Sequence, residues 1–184
     1  MGIRRVVTGH LDGKAVFTSD AEVEPIAMRT LPQSEYHLMW GADEARSFPD
    51  DGRRPDTPRY FPPVGGFRFG FFTIPPVDAP PLAEGATIED VVTEFESLLP
   101  GMLEHLELDD PGMHTTATID YGVVISGEAT LELDDGATTV LRPGDCYVQN
   151  GTRHRWSNAG TSPAVLAVAI VGAEHEGVPG PASP

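Results

Sequence analysis

Residues 113–127 read MHTTATIDYGVVISG, and residues 143–158 read PGDCYVQNGTRHRWSN. In the first stretch, the even-numbered positions from 114 to 120 hold His, Thr, Thr and Asp. Alternate residues of an extended strand project to the same face, so these four polar side chains share one face. The β-branched residues that follow favour a buried strand. The pattern predicts a strand that carries an imidazole and a carboxylate on one side.

The sequence around this strand predicts short antiparallel strands joined by tight turns. Residues 128–134 alternate apolar and polar side chains, and the turn sequence DDG leads into a further short run at 137–141. The sequence RPGD marks another turn. Residues 164–171 are almost entirely apolar. A series of this kind is typical of an all-β sandwich or barrel.

The first half of the chain carries strands of its own. We predict strands at Arg4–Thr8, Ala15–Ser19, Tyr36–Trp40 and Phe67–Ile74, the last of which ends at two prolines. Residues 43–66 are rich in Pro, Gly and Asp, so we predict a loop there.

One helix is predicted between the two halves. Apolar residues recur at helical spacing from Ile88 to Leu99, Thr87 is a suitable N-cap, and Pro100-Gly101 ends the pattern. We expect this helix to pack near the mouth of the barrel or to brace the outer sheet.

The two opening stretches resemble the sequence motifs of the cupin superfamily, G-x5-H-x-H-x3-4-E-x6-G and G-x5-P-x-G-x2-H-x3-N. His114 and Thr116 stand at the two histidine positions of the first motif, and Asp120 stands at its glutamate. In the second motif Gln149 replaces the proline and the opening glycine is one residue late. The positions that match the second motif are Gly151, His154 and Asn158. The resemblance implies an all-β, cupin-type antiparallel β-barrel or jelly roll with an N-terminal strand extension and one inserted helix.

On this resemblance we divide the chain into three parts. Residues 1–66 supply strands and a loop that pack on the barrel, residues 67–172 form the barrel with an inserted helical segment at 77–112, and residues 173–184 are a flexible tail.

The resemblance also implies a metal site formed by His114, Asp120 and His154. Two imidazoles and one carboxylate suit Fe(II), and Zn or Mn could bind the same donors. A neutral threonine hydroxyl is a poor ligand, so Thr116 can either open the metal for chemistry or mark a barrel without metal. Four residues are expected to support the ligands or to line the pocket: Thr116, Thr118, Val124 and Trp156. Arg68 is a candidate substrate contact.

Two further residues of the second motif are expected to be structural. Gly151 should allow a turn at positive φ, and Asn158 should bond to the backbone near the end of its strand.

Composition excludes some partners. The net charge of −16 disfavours nucleic acid and anionic membranes, because phosphate binding needs a basic surface. There is no long apolar run that could cross a membrane and no signal-peptide pattern at the start. The single cysteine, Cys146, agrees with a reducing cytoplasm, and we expect it to be a small core residue.

Function follows from the resemblance only in outline. The leading hypothesis is a metal-dependent enzyme of oxygenase, isomerase or lyase type. Its substrate would be a small aromatic or polyketide-like carbonyl or enol compound of secondary metabolism. The alternative is a metal-free small-molecule binding protein without catalysis, and a bare structural dimer is a third reading. In each case we expect a homodimer, because the early strands need their edges covered.

Overall fold

The computed structural model describes residues 2–80 and 82–178. Within them lie eleven β-strands and one α-helix. The strands of the first half are β1 (Ile3–Leu11), β2 (Lys14–Val23), β3 (Ile26–Ala27), β4 (Glu35–Ala42) and β5 (Phe67–Ile74). The helix α1 (Ile88–Leu98) follows, with a short 3₁₀ turn at Leu103–His105. The strands of the second half are β6 (Thr118–Ser126), β7 (Ala129–Glu132), β8 (Thr138–Leu141), β9 (Cys146–Asn150), β10 (Arg155–Ser157) and β11 (Ala164–Gly172).

The strands form three antiparallel sheets in the described part of the chain. A six-stranded sheet has the order β3-β4-β5-β11-β6-β9, and a three-stranded sheet has the order β10-β7-β8. The hairpin of β1 and β2 makes a sheet of its own. The predicted all-β jelly-roll architecture, with N-terminal strands and one inserted helix, is confirmed.

The predicted elements agree closely with the structure. β5 has the predicted bounds, and the other three early strands are longer than expected. Thr87 caps α1 through a reciprocal arrangement in which its hydroxyl accepts from Asp90 N–H and the Asp90 carboxylate accepts from Thr87 N–H. Thr87 therefore caps the start of α1, as the sequence predicts.

The apolar core lies between the six-stranded and three-stranded sheets. Val124, Ala129 and Leu166 are almost completely buried there, with Trp156 packed against them. Next to this core, Phe95 of α1 and the loop residues Tyr60 and Phe61 pack against apolar side chains of β4, β5 and β11. The inserted segment therefore closes one side of an interior space.

The N-terminal hairpin lies against β4. Arg5 donates to the Met39 carbonyl at 2.9 Å, and its guanidinium lies 5.7 Å from the centre of the Trp40 ring. The division of the chain into parts stays a prediction, and residues 179–184 of the expected tail lie outside the described residues.

One expectation about the core is wrong. Cys146 is exposed on β9, because it occupies the outward position beside the inward Tyr147. The alternation of a strand thus overrides the general tendency of cysteine to be buried.

No helix in the described ranges is long and apolar enough to cross a membrane.

Candidate functional site

An elongated cavity of about 330 Å³ lies between the sheets and beneath α1. Most of its wall is apolar and comes from several distant parts of the chain: Ile26, Met28, Leu31, Tyr36, Tyr60, Phe61, Phe72, Phe95, Leu99, Met102, Leu106, Trp156, Val168 and Ile170. Two imidazoles and two carboxylic acids interrupt this wall, namely His114, His154, Glu35 and Asp120. All three residues predicted from the two motifs therefore face the same cavity.

His114 and His154 are adjacent. They exchange two main-chain hydrogen bonds, from His114 N–H to the His154 carbonyl at 3.0 Å and from His154 N–H to the His114 carbonyl at 2.9 Å. Their ring centroids are 4.1 Å apart. The two sequence motifs thus meet in one antiparallel pair of residues.

Both imidazoles are held in the same tautomer. Nδ1 of His114 lies 3.0 Å from the Gly112 carbonyl, and Nδ1 of His154 lies 2.9 Å from the Thr152 carbonyl. A carbonyl only accepts, so each Nδ1 carries the proton and each neutral ring keeps a lone pair on Nε2. Metal ligands are often oriented in this way.

Burial keeps the two rings neutral. It lowers the pKa of His114, and it lowers the pKa of His154 to about 4 with a further contribution from the neighbouring His114. The pair is therefore a source of lone pairs rather than of positive charge near neutral pH.

Asp120 is the acidic group that β6 contributes to the cavity. Thr118 Oγ1 donates to its Oδ1 at 2.8 Å, and Thr116 Oγ1 lies 2.8 Å from Thr118 Oγ1. Burial raises the pKa of Asp120 to about 6, against the opposing effect of the Thr118 hydrogen bond. Thr116 and Thr118 thus form a hydroxyl chain that ends on the carboxylate.

The three predicted ligands do not gather around one point. Across the described residues, no group of three or more His, Cys, Asp or Glu side chains is placed to hold a metal ion. The donors present are an imidazole pair and a carboxylate that accepts a hydrogen bond from Thr118. The arrangement does not fit a three-ligand ion, and the predicted metal stays a prediction.

Arginines on either side of His154 bind the segment that carries His114. Arg153 forms ion pairs with Glu107 and Asp110 at 2.7 Å, and Arg155 reaches Asp110 at 2.9 Å. Asp110 therefore bonds to both neighbours of His154. These ion pairs hold the segment at 107–114 against β10 and the residue before His154.

The remaining predicted site residues differ in position. Trp156 lines the cavity, whereas Val124 packs in the adjoining core. Arg68 is 1% exposed and donates to the carbonyls of Ala42, Arg59 and Phe67 and to the Asp43 carboxylate. Its hydrogen bonds connect the end of β4 to the loop before β5, and it does not line the cavity.

The two residues of the second motif that were expected to be structural have that role. Gly151 has φ of 61°. Asn158 Nδ2 donates to the carbonyls of Ile74 and Ser162, and its Oδ1 accepts from Gly160 N–H.

Sequence reasoning missed the aromatic residues beside Asp120. Tyr60 comes from the proline-rich loop, and Tyr147 comes from β9. Tyr147 could have been found from strand alternation, since it shares its face with Gln149 and lies opposite Gly122 on β6. No periodic signal marks Tyr60.

The comparisons with known proteins concern mainly this part of the chain. A family model described as "Cupin domain" matches residues 105–171. The chain is 54% identical over 46 residues to phomopsin biosynthesis cluster protein C' of Diaporthe leptostromiformis, covering 25% of this chain and 24% of that protein. It is 39% identical over 62 residues to the cupin-domain-containing oxidoreductase fogC of Aspergillus ruber, covering 32% and 30%.

These matches are short. The chain spans about a quarter to a third of the length of the curated relatives it matches. Among solved structures, a cupin 2 conserved barrel domain protein from Salinispora arenicola aligns over 83% of this chain and 90% of its own, with 13% identity and a TM-score of 0.42.

Proposed function

Residues 105–171 form a cupin domain, which places the chain in the cupin superfamily, and from this premise we propose that the chain is an enzyme. Its substrate would be a small, aromatic or polyketide-like compound that carries a carbonyl, enol or phenol group. The substrate would occupy the interior cavity, with its oxygen-bearing end beside Asp120 and the histidine pair.

The observation that carries this proposal is a buried carboxyl group and a histidine pair in the wall of a mostly apolar cavity. A volume of about 330 Å³ accommodates a compound of one or two rings. Burying a carboxyl group in such a wall is unfavourable, which raises the pKa of Asp120 to about 6. Perturbed groups of this kind concentrate at functional sites.

Asp120 is suited to transfer a proton within a bound carbonyl compound. Its carboxylate would take a proton from the carbon next to the carbonyl, and the electron pair of the C–H bond would move towards the carbonyl oxygen to give an enolate. In a β,γ-unsaturated ketone, return of the same proton to the γ-carbon moves the double bond into conjugation with the carbonyl, and this isomerisation needs no other reactant. A base with a pKa near the working pH is effective in such a step.

The relatives support an enzyme and a biosynthetic setting. One is named as a biosynthesis cluster protein and another as a cupin-domain oxidoreductase. A metal held by the imidazole pair would supply Lewis-acid or oxygen chemistry. Because the carboxylate is not grouped with the imidazoles, we assign no step to a metal.

Hydrogen–deuterium exchange tests the proposal directly. We expect the protein to accelerate exchange of the C1 protons of 2-tetralone in D₂O, followed by NMR, and the Asp120→Asn variant to lose about 100-fold or more of this rate. Glu174→Gln, an exposed carboxylate outside the cavity, is the matched control and should keep the rate. Exchange that is equal in the two variants would remove Asp120 from the mechanism.

The apolar wall also favours a second candidate, a binding protein without catalysis. In that case 2-tetralone would bind to the cavity and its exchange rate would stay at the value for buffer alone. The same experiment therefore separates the two candidates.

A further inference from the structure

Two tyrosine hydroxyls in the cavity wall lack a hydrogen-bond partner among the described residues. Tyr60 and Tyr147 both line the cavity, and their hydroxyls make no hydrogen bond within the part of the chain that the structure describes. Neither is sealed away, in contrast to the hydroxyl of Tyr36, which is enclosed and unpaired in the same ranges. A phenol in a cavity wall needs an acceptor, so each of these two hydroxyls is left to bond to whatever fills the cavity.

The backbone makes room for Tyr147. Gly122 lies in the middle of β6, directly opposite Tyr147 on β9. A Cβ at position 122 would overlap the ring and the hydroxyl of Tyr147. Glycine weakens a strand interior and often marks a place where another group must approach closely. Here it lets the phenol lie across the strand that carries Asp120.

Tyr60 is held from the other side. Its N–H donates to the Pro100 carbonyl at 2.9 Å, and its ring lies 5.1 Å from that of Tyr36 and 4.7 Å from that of Phe61. These contacts leave the hydroxyl as the free end of a fixed side chain. The tyrosine thus enters the cavity from a loop outside the cupin domain.

The two phenols and Asp120 share one region. The charge of Asp120 raises the pKa of both tyrosines, in addition to the larger effect of burial. Both hydroxyls therefore stay protonated and remain donors near neutral pH.

We propose that Tyr60 and Tyr147 form a subsite that binds an acceptor oxygen of the ligand, a carbonyl or enolate oxygen, beside Asp120. This inference rests on the proposed function, since it concerns the same cavity. The new element is that the protein recognises an oxygen of the ligand, and that Tyr60 and Tyr147 are the residues that bind it.

The chemistry of the subsite selects among ligands. Two neutral donors stabilise an oxygen that accepts two hydrogen bonds, and they bind it more strongly as negative charge develops on it. A hydrocarbon of the same shape would leave both phenols unpaired. The subsite therefore discriminates by oxygen rather than by size.

A pair of matched probes tests the subsite. 2-Acetylnaphthalene and 2-isopropenylnaphthalene have nearly the same shape, but only the former has a carbonyl oxygen. Titration followed by fluorescence should show tighter binding of the ketone by the wild-type protein. Tyr60→Phe and Tyr147→Phe should each weaken ketone binding about three- to tenfold and change alkene binding less than twofold.

Another tyrosine provides the control. Tyr121→Phe removes an exposed hydroxyl from the opposite face of β6. It should not change the ratio of the two affinities. A second readout is the carbonyl stretching band of bound ketone, which should shift to higher frequency in each of the two subsite variants.

The outcomes distinguish the subsite from the proposed function. If both probes bind equally well and the Phe variants change nothing, the subsite is wrong and the cavity remains a binding site. If neither probe binds, the cavity does not take apolar ligands, and the subsite and the proposed function both fail.

Discussion

His114 and His154 are joined through their main chains, by two hydrogen bonds of 3.0 and 2.9 Å, and their rings are 4.1 Å apart. The main-chain pairing therefore keeps the two imidazoles close together. Asp120 is positioned independently, through Thr118 and the register of β6. The pair and the carboxylate can thus be changed separately by mutation.

The metal prediction can be tested on this basis. If Fe(II), Zn or Mn binds to the imidazole pair, His114→Gln and His154→Gln should each lose the ion, while Asp120→Asn should keep most of it, because the carboxylate is not grouped with the rings. Metal content after purification and after addition of each ion is the measurement, with the exposed His10→Gln as control. Loss in all three variants would restore the three-ligand site, and a protein that takes up none of these ions would end the metal prediction.

Opposite pH dependences are expected from Asp120 and His154. The pKa of Asp120 is raised to about 6, so its contribution to stability is present at low pH and is lost as the pH rises through that value. The pKa of His154 is lowered to about 4, so its contribution is present above the ordinary histidine pKa and is lost as the pH falls. The two effects partly cancel in the wild-type protein between pH 5 and 8.

Variants separate these two contributions. From pH 5 to 8 the free energy of unfolding of Asp120→Asn should rise by about 1 kcal/mol more than that of the wild type. For His154→Gln the rise should be about 2 kcal/mol smaller than in the wild type. Urea unfolding at several pH values measures both, and Glu174→Gln should follow the wild-type curve. Parallel curves for all four proteins would show that neither group titrates as described.

Glu94 should hold α1 over the cavity. Its carboxylate accepts hydrogen bonds from the main-chain N–H groups of Arg29 and Thr30 and from the Thr30 hydroxyl, which lower its pKa to about 2. We expect Glu94→Gln to reduce stability by about 1–3 kcal/mol and to speed amide exchange in α1. The exposed Glu96→Gln on the same helix is the control. Unchanged exchange in Glu94→Gln would show that packing alone holds the helix.

A homodimer through the outer face of the six-stranded sheet is a further prediction. Tyr121 and Val148 are paired on β6 and β9 and are 50% and 57% exposed on that face. Apolar side chains on an exposed sheet face are a frequent basis for association. Light scattering should give twice the mass of one chain for the wild type and one chain for Val148→Lys. Leu108→Lys, at an exposed leucine elsewhere, should remain dimeric. A wild-type protein of single-chain mass would contradict the dimer.

The sequence was sufficient to predict the architecture and the polar end of the cavity. Strand alternation alone places Asp120 on the face of Thr118, and the two motifs correctly identified His114 and His154 as neighbours of the same space. These features depend on local geometry, which can be predicted from a short sequence motif. The apolar wall depends on which distant segments meet, and Tyr60 reaches it from a loop without periodicity. Arg68 does not line the cavity. The sequence does not reveal that its side chain is only 1% exposed and donates a hydrogen bond to Asp43.

The wall of the cavity is formed by two parts of the chain, one before residue 105 and one within residues 105–171. Residues 105–171 supply Asp120 and the histidine pair, whereas the segments before residue 105 supply Tyr36, Tyr60, Phe72 and Phe95. The shape of the cavity can therefore change without any change at Asp120 or at the histidine pair. A chimera that joins the first hundred residues of one relative to the cupin domain of another should acquire the ligand preference of the former and retain the chemistry of the latter.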